Sequence, residues 1–444
     1  MSEQIDQSVW SGLERRLAAV EPFIPPTPGW RTEHDPVGAT PARTLLRPVV
    51  RPRRTTRDWG NRRATVLLFV ALAVALALVA GALLVGIGRQ PAPQPSIVAP
   101  SPGAHLSLVA TGSMAFGREG HSATLMDNGL VLISGGVTGL RWAELYDPQT
   151  GTFQQTGEMA PGAEADGSTL LLDGRVLVFG DRNPIAQIYD PWSRTFKLAS
   201  SNLTQGWSHV ATRLLDGRVL LAGSKASDPI SDSATSAELF EPGTEQFSLT
   251  GSMTHPQPGA TGTLLQDGRV LIVGISGSDS TAELFALPGH FGPTGALHVA
   301  RQQQAAVRLQ DGRVLVVGGI DPRSNVALGS AEIYDPATGT FQVTGAMEVA
   351  RINPSATLLP DGRVLVSGGG WAGASGLSRS TRSEIYDPAT GRFSYVPSSV
   401  VLPYLSSATL LPGGDVLIAG GWSDNFGPLL NKAYLFDYRA VPKP

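Results

Sequence analysis

The phrase "DGRVLVVGG" runs from Asp311 to Gly319, and close copies begin at Asp173, Asp216, Asp267 and Asp361. With the turn glycine as a marker, Gly129, Gly174, Gly217, Gly268, Gly312, Gly362 and Gly414 follow one another at intervals of 45, 43, 51, 44, 50 and 52 residues. Seven copies at a period of roughly 40–50 residues confine this stretch to a repeat architecture. Each unit reads as four short strands. In "HSATLMDNGLVLISGG", two runs of strand-forming residues flank Asn128-Gly129, a strong hairpin signal. A stretch of variable sequence follows, then a third strand in "AELYDP" from Ala143, a turn in "DPQTG" and a fourth strand in "TFQQTG". Four antiparallel strands in a unit of this length describe a propeller blade.

The two ends of the repeat region complement each other. The seventh unit stops after its third strand, "AYLFDY", near Tyr438, whereas "LSLVATGSM" from Leu106 reads like the fourth strand "QFSLTGSM" from Gln246. A strand over 106–110 is therefore expected to complete blade seven. That pairing closes a seven-bladed propeller over 105–440 and leaves no seam where a sheet edge is exposed.

The repeats resemble the kelch family. The carriers are the double glycines after the second strand (Gly135-Gly136, Gly318-Gly319, Gly368-Gly369, Gly420-Gly421) and the Tyr-Asp-Pro runs at Tyr146, Tyr189, Tyr334 and Tyr386. A fourth-strand aromatic adds to them: Phe153, Phe196, Phe247, Phe291, Phe341 and Phe393, where the family often has Trp. Units two, three and four depart from the pattern, with Asp181, Ser224 and Ile275 in place of the second glycine. The resemblance runs from Leu106 onward and implies an all-β, seven-bladed kelch-type propeller. Copper-dependent kelch oxidases need a Cys cross-linked to Tyr. This chain has no Cys, so that cofactor is not expected, nor is any other. Sugar-isomerising kelch enzymes need only acid–base groups over the channel mouth and stay open as an alternative.

Before the repeats lies "ATVLLFVALAVALALVAGALLVGIG", 64–88, without one charged residue. Twenty-five residues at about 1.5 Å each would cross a hydrocarbon core of about 30 Å with some tilt, so a transmembrane helix is expected there. Arg43, Arg47, Arg51, Arg53, Arg54, Arg57, Arg62 and Arg63 precede it and only Arg89 follows closely. This asymmetry predicts a cytoplasmic N-terminus and an extracytoplasmic propeller, with the bilayer as a partner of 64–88. Residues 1–63 form a basic tail with 11 Lys/Arg against 7 Asp/Glu. In its first part Ile5, Val9, Trp10, Leu13, Leu17 and Val20 fall at helical spacing, an amphipathic helix that docks a cytosolic partner through 5–20, lies on the membrane, or has no partner. The remainder to Arg63 is rich in Pro, Thr and Arg and reads as disordered. Residues 89–104 form a Pro-rich linker.

Alternating strand direction divides the propeller into two faces. Turns after strands one and three are short and repeated. Loops after strand two differ in every unit, as in "VTGLRW" (137–142), "IDPRSNVALG" (320–329), "GWAGASGLSRSTR" (370–382) and "WSDNFGPLLNK" (422–432). Divergence on a common scaffold marks the face available for specialisation. Arg141, Trp142, Arg323, Trp371, Arg379, Arg382, Trp422 and Asp424 are the candidate contact residues there, since exposed Trp and Arg anchor protein and sugar contacts. The same Trp side chains would equally serve to pack their own loops. Arg118, Arg301 and Arg351 precede first strands and are candidates for the channel mouth, with a structural hydrogen-bonding role as the alternative. Arg175, Arg218, Arg269, Arg313 and Arg363 are expected to pair with Asp190, Asp335 and Asp387. No His or carboxylate recurs at metal-ligand spacing, and a net charge of −3 gives no nucleic-acid footprint. The expected function is a membrane-anchored module that binds protein or glycan through its loop face; a transmembrane sensor signalling through the N-terminal tail is the alternative.

Overall fold

A computed structural model describes residues 107–136, 140–161, 165–180, 185–200, 210–223, 235–373, 376–378, 382–396, 398, 400, 402–422 and 428–443. The tail, the apolar segment 64–88 and the linker to 104 lie outside them. Among the described residues no helix is long and apolar enough to cross a membrane.

The hairpin phrase sets each blade. In blade two, Leu171 N–H donates to Arg175 O (2.8 Å) and Gly174 N–H donates to Leu171 O (3.2 Å). Gly174 alone in this turn has a left-handed φ, +84°. The result is a tight turn followed by a one-residue bulge, which an L side chain at the glycine would strain. All seven turn glycines share this conformation, with φ between +81° and +93°. The second strand that follows, such as Val176–Phe179, is buried along its whole length because both of its faces meet neighbouring blades.

The arginine of the phrase corrects the expected pairing. Arg175 turns back onto Asp173 of its own turn (2.6 Å), and Arg218, Arg269, Arg313 and Arg363 do the same with Asp216, Asp267, Asp311 and Asp361. The Tyr-Asp-Pro aspartates are occupied elsewhere. Asp190, Asp335 and Asp387 each accept the backbone N–H two residues on, at 2.8–2.9 Å, and so close the outer turns. A two-residue separation lets the Asp–Arg pair form locally, so no cross-strand partner is needed.

Among the described residues the strands make seven four-stranded sheets and one two-stranded hairpin. First strands touch first strands all the way round, and Ser407–Leu410 of blade seven meets Ser122–Leu125 of blade one. They form the innermost ring. The closing strand is Leu108–Ala110, shorter than the expected 106–110, and it pairs Leu108 with Phe436 and Ala110 with Tyr434. Blade seven thus unites both ends of the repeat region. Hydrophobic clusters sit between consecutive blades, for example Leu177, Phe179, Val219 and Leu221 between blades two and three. In blade four the second and third strands run on as one long hairpin, Val270–Ser276 with Asp279–Ala286, closed by a tight turn where other blades carry a longer loop.

Neighbouring blades interlock through the Thr-Gly that ends five of the seven fourth strands, all but those of blades two and six. Thr111, Thr156, Thr294 and Thr344 hydrogen-bond the hydroxyls of Tyr146, Tyr189, Tyr334 and Tyr386 in the next blade, at 2.7–2.9 Å. Each of these tyrosines packs against the fourth-strand Phe of its own blade at 4.8–4.9 Å between ring centres. The adjacent glycine lies against the outer turn of the next blade: Gly345 N–H donates to Gly391 O at 3.0 Å.

Candidate functional site: the loop face

Loops after the second strands gather on the face opposite the Asp-Gly turns, and the candidate residues fall there as far as they are described. Trp142 opens the third strand of blade one and is 39% exposed. Arg141 beside it pairs with Glu158 at 3.0 Å and donates through Nε to Met159 O. Arg323 pairs with Asp279, joining the loop of blade five to the hairpin of blade four, with both side chains largely in solvent. Arg382 lies 5.9 Å from the centre of the Tyr395 ring. The backbone of Trp371 pairs with Ser378 in the small hairpin of blade six. Trp422 is half-buried and its backbone bridges both Tyr404 and Leu429. Arg379 and Asp424 lie outside the described residues. Arg141, Trp142, Arg323 and Arg382 are thus spread over blades one, five and six, and no contact brings them into one cluster.

Arg118, Arg301 and Arg351 are not open to a ligand. All three are fully buried, each paired with a buried glutamate on the third strand of its own blade: Glu144 at 3.0 Å, Glu332 at 3.3 Å and Glu384 at 2.7 Å. Their remaining donors reach carbonyls, Gly135 O, Gly318 O and Gly368 O among them. The glutamates in turn accept backbone N–H groups from the segment entering the blade, such as Ala115 to Glu144 and Glu348 to Glu384. Burial pushes each guanidinium below its ordinary pKa, and the paired glutamate pulls it back up. These arginines fix the entry of the chain into the blade, the structural hydrogen-bonding role read for them from the sequence beside the channel-mouth role.

His121 is also internal. Its Nε2 lies 2.9 Å from Ser407 Oγ, across the junction of blades one and seven. Burial, with the Arg118 charge nearby, lowers its pKa to about 3. His209 lies outside the described residues. No group of three His, Asp or Glu side chains in metal-binding geometry occurs among the described residues.

The sequence reading missed a backbone feature at the mouth of the channel. Between each buried Arg and its first strand the chain turns through one left-handed residue: Gly120 (φ +56°), Gln303 (+57°) and Asn353 (+51°), with Leu405 (+56°) and Gly259 (+64°) in the same place in other blades. Asn353 N–H donates to Gln303 O (2.9 Å) and Gly120 N–H to Leu405 O (3.1 Å), linking the entrances of successive blades. Only the two glycines carried a signal of this in the sequence. Gln and Leu do not advertise a left-handed φ.

A family profile described as the kelch motif matches residues 304–348. No curated protein matches the chain. Among solved structures, a fungal alcohol oxidase of the AA5 family, in complex with copper, superposes with a TM-score of 0.59 at 17% sequence identity, over 76% of this chain and 78% of that one. At that identity the likeness concerns the fold alone.

Proposed function

The chain is a kelch-repeat β-propeller, and from that premise we propose that it is a binding module, held at a membrane through 64–88, which presents its loop face to a protein or glycan partner outside the membrane. One observation carries the reading. Seven copies of one scaffold keep the Asp-Gly turns nearly constant and diverge in the loops after the second strands. Selection for folding alone acts on both faces; divergence confined to one face is what a contact surface produces. Trp142, Arg323 and Arg382 supply exposed anchors there, and Trp371 and Trp422 belong to the same loops. The charge-free segment and its arginine-rich leading flank support the membrane placement.

Site-specific photo-crosslinking in intact cells tests the proposal. Val326 on the loop face and Leu215 on the turn face are both well exposed, at 53% and 66%. A photoreactive residue at 326 is expected to capture a discrete partner and one at 215 is not. Equal capture from both positions, or capture from 215 alone, refutes the loop face as the binding surface.

A further inference from the structure

The channel mouth on the loop face carries an uncharged collar whose backbone is closely defined and whose polar groups are not fully used. Gln302 and Gln303 follow the buried Arg301, Asn353 follows Arg351 two residues on, and Tyr404 takes in blade seven the place that Gln302 has in blade five, its backbone likewise bridged to the loop after the second strand. The collar is continuous. Asn353 donates its backbone N–H to Gln303 O and its side-chain amide to the Tyr404 hydroxyl, both at 2.9 Å. Trp422 N–H donates to Tyr404 O at 2.9 Å, which places an indole-bearing residue beside the phenol.

The backbone beneath is rigid. Gln302 and Ile320 exchange two backbone hydrogen bonds, at 3.1 and 2.9 Å, and Ile320, Ala327 and Ile352 form a small buried cluster under the collar. Three collar residues, Gln303, Asn353 and Leu405, hold left-handed φ values although none is glycine. The backbone positions from which these side chains project are thereby defined, and the hydrogen bond between the Asn353 amide and the Tyr404 hydroxyl holds that pair together.

Their hydrogen-bonding capacity is open. Among the described residues the side-chain amides of Gln302 and Gln303 have no hydrogen-bond partner, although both residues are half-buried. Asn353 uses its amide donor but not its carbonyl oxygen, and the Tyr404 hydroxyl accepts one hydrogen bond and still has a proton to give. Gln302, Gln303, Asn353 and Tyr404 carry no formal charge at neutral pH, and the guanidinium groups of Arg301 and Arg351 are buried and engaged. Paired donors and acceptors without charge, next to aromatic rings, match a neutral polyhydroxylated ligand: hydroxyls supply both halves of each hydrogen bond and ring C–H faces pack on aromatic surface. We infer that the loop-face mouth over blades five to seven is a binding site for a neutral saccharide. The inference deepens the loop-face reading and rests on it.

Calorimetry on the full chain in nanodiscs, with maltohexaose, cellohexaose and chitohexaose as probes, tests it. One of the three is expected to bind saturably. Gln303→Gly, which keeps the left-handed backbone, and Tyr404→Phe, which removes one hydroxyl, should each weaken it at least tenfold with a melting temperature within a few degrees of the parent. A sulfated hexasaccharide should bind no more tightly. No binding by any of the three overturns the inference, and so does binding that ignores both substitutions or favours the sulfated probe. The outcome at Val326 is read separately. Crosslinks from 326 with a silent collar leave the loop-face reading standing and remove only the saccharide; no crosslinks and a silent collar remove both.

Discussion

Arg351 and Glu384 illustrate how a charge is kept inside the ring. Both are buried, and each satisfies the other and several backbone groups. Blade two lacks the arginine, and there the third-strand glutamate is replaced by Gln187, which still accepts Ala160 N–H at 2.7 Å. In blade four Gln257 takes the place of the arginine and donates to Glu283 at 2.9 Å. A buried carboxylate left without its partner is expensive, so Arg351→Met should destabilise the propeller by about 3–5 kcal/mol, and Arg351→Met with Glu384→Met should recover much of that loss. Urea denaturation of the three proteins checks this; a single substitution that costs less than about 1 kcal/mol contradicts the assigned role. His121 gives a pH signature. Its native pKa of about 3 lies below the ordinary value of 6.5, so from pH 6.5 down to about 3 the unfolded chain binds a proton that the folded chain refuses. Stability contributed by neutral His121 is present above pH 6.5 and drains away as pH falls through that window, by an amount on the order of a few kcal/mol. His121→Asn should flatten the melting-temperature profile between pH 6.5 and 4. A profile as steep as the parent's would show that other groups dominate. The arginines were legible in the sequence as repeat positions, but not their burial, because the partner glutamates sit some 26–33 residues away on another strand.

At the scale of the strand and turn, the phrase itself was the most readable feature. An Asp-Gly turn, a run of Val and Leu and a closing glycine together determine a hairpin, and the aromatics mark the outer pair. Less legible was the latch between blades, because Thr344-Gly345 and Tyr386 are joined only once the blades are stacked. A Cβ on Gly345 would run into the backbone carbonyl of Gly391 in the next blade. Gly345→Ala is therefore expected to cost about 2–3 kcal/mol, as overpacking against backbone that cannot yield. Thr344→Val, which removes one hydrogen bond to Tyr386, should cost about 1 kcal/mol. The order of the two effects in a thermal melt is the check; Thr344→Val the more damaging would mean that the hydroxyl, not the close approach, holds the blades together. The left-handed belt at Gln303, Asn353 and Leu405 was unreadable because the fold imposes that conformation on residues that do not prefer it.

For the whole molecule, closure was foreseeable from a missing fourth strand at one end and a spare one at the other, and Leu108–Ala110 beside Ala433–Phe436 realises it. Chain entry and exit then lie together: Asp437 N–H donates to Ser107 O at 2.9 Å, and Arg363 of a turn-face loop holds the carbonyls of Tyr438, Val441 and Pro442. The candidate contact residues were chosen by type, and their spread over several blades is what a broad surface would give and a small pocket would not. Membrane topology has a clean assay because the chain has no Cys. A membrane-impermeant maleimide should label Ser101→Cys on intact cells and leave Ser8→Cys unlabelled until the cells are opened. The reverse pattern, or labelling of both, removes the proposed orientation.

In the proposed reading scaffold and function are separable, with folding set by the repeats and recognition by the loops. Blade four already joins its second and third strands by a tight turn between Ser276 and Asp279. Shortening the tip 321–326 of the blade-five loop, between the bridged Ile320 and Ala327, to a turn of that length tests this directly, in a chain carrying the photoreactive residue on another described loop-face position, Trp142. The expected result is a melting temperature within a few degrees of the parent and loss or marked reduction of partner capture from 142. Unchanged capture with the loop gone, or collapse of the fold when it is removed, would contradict it.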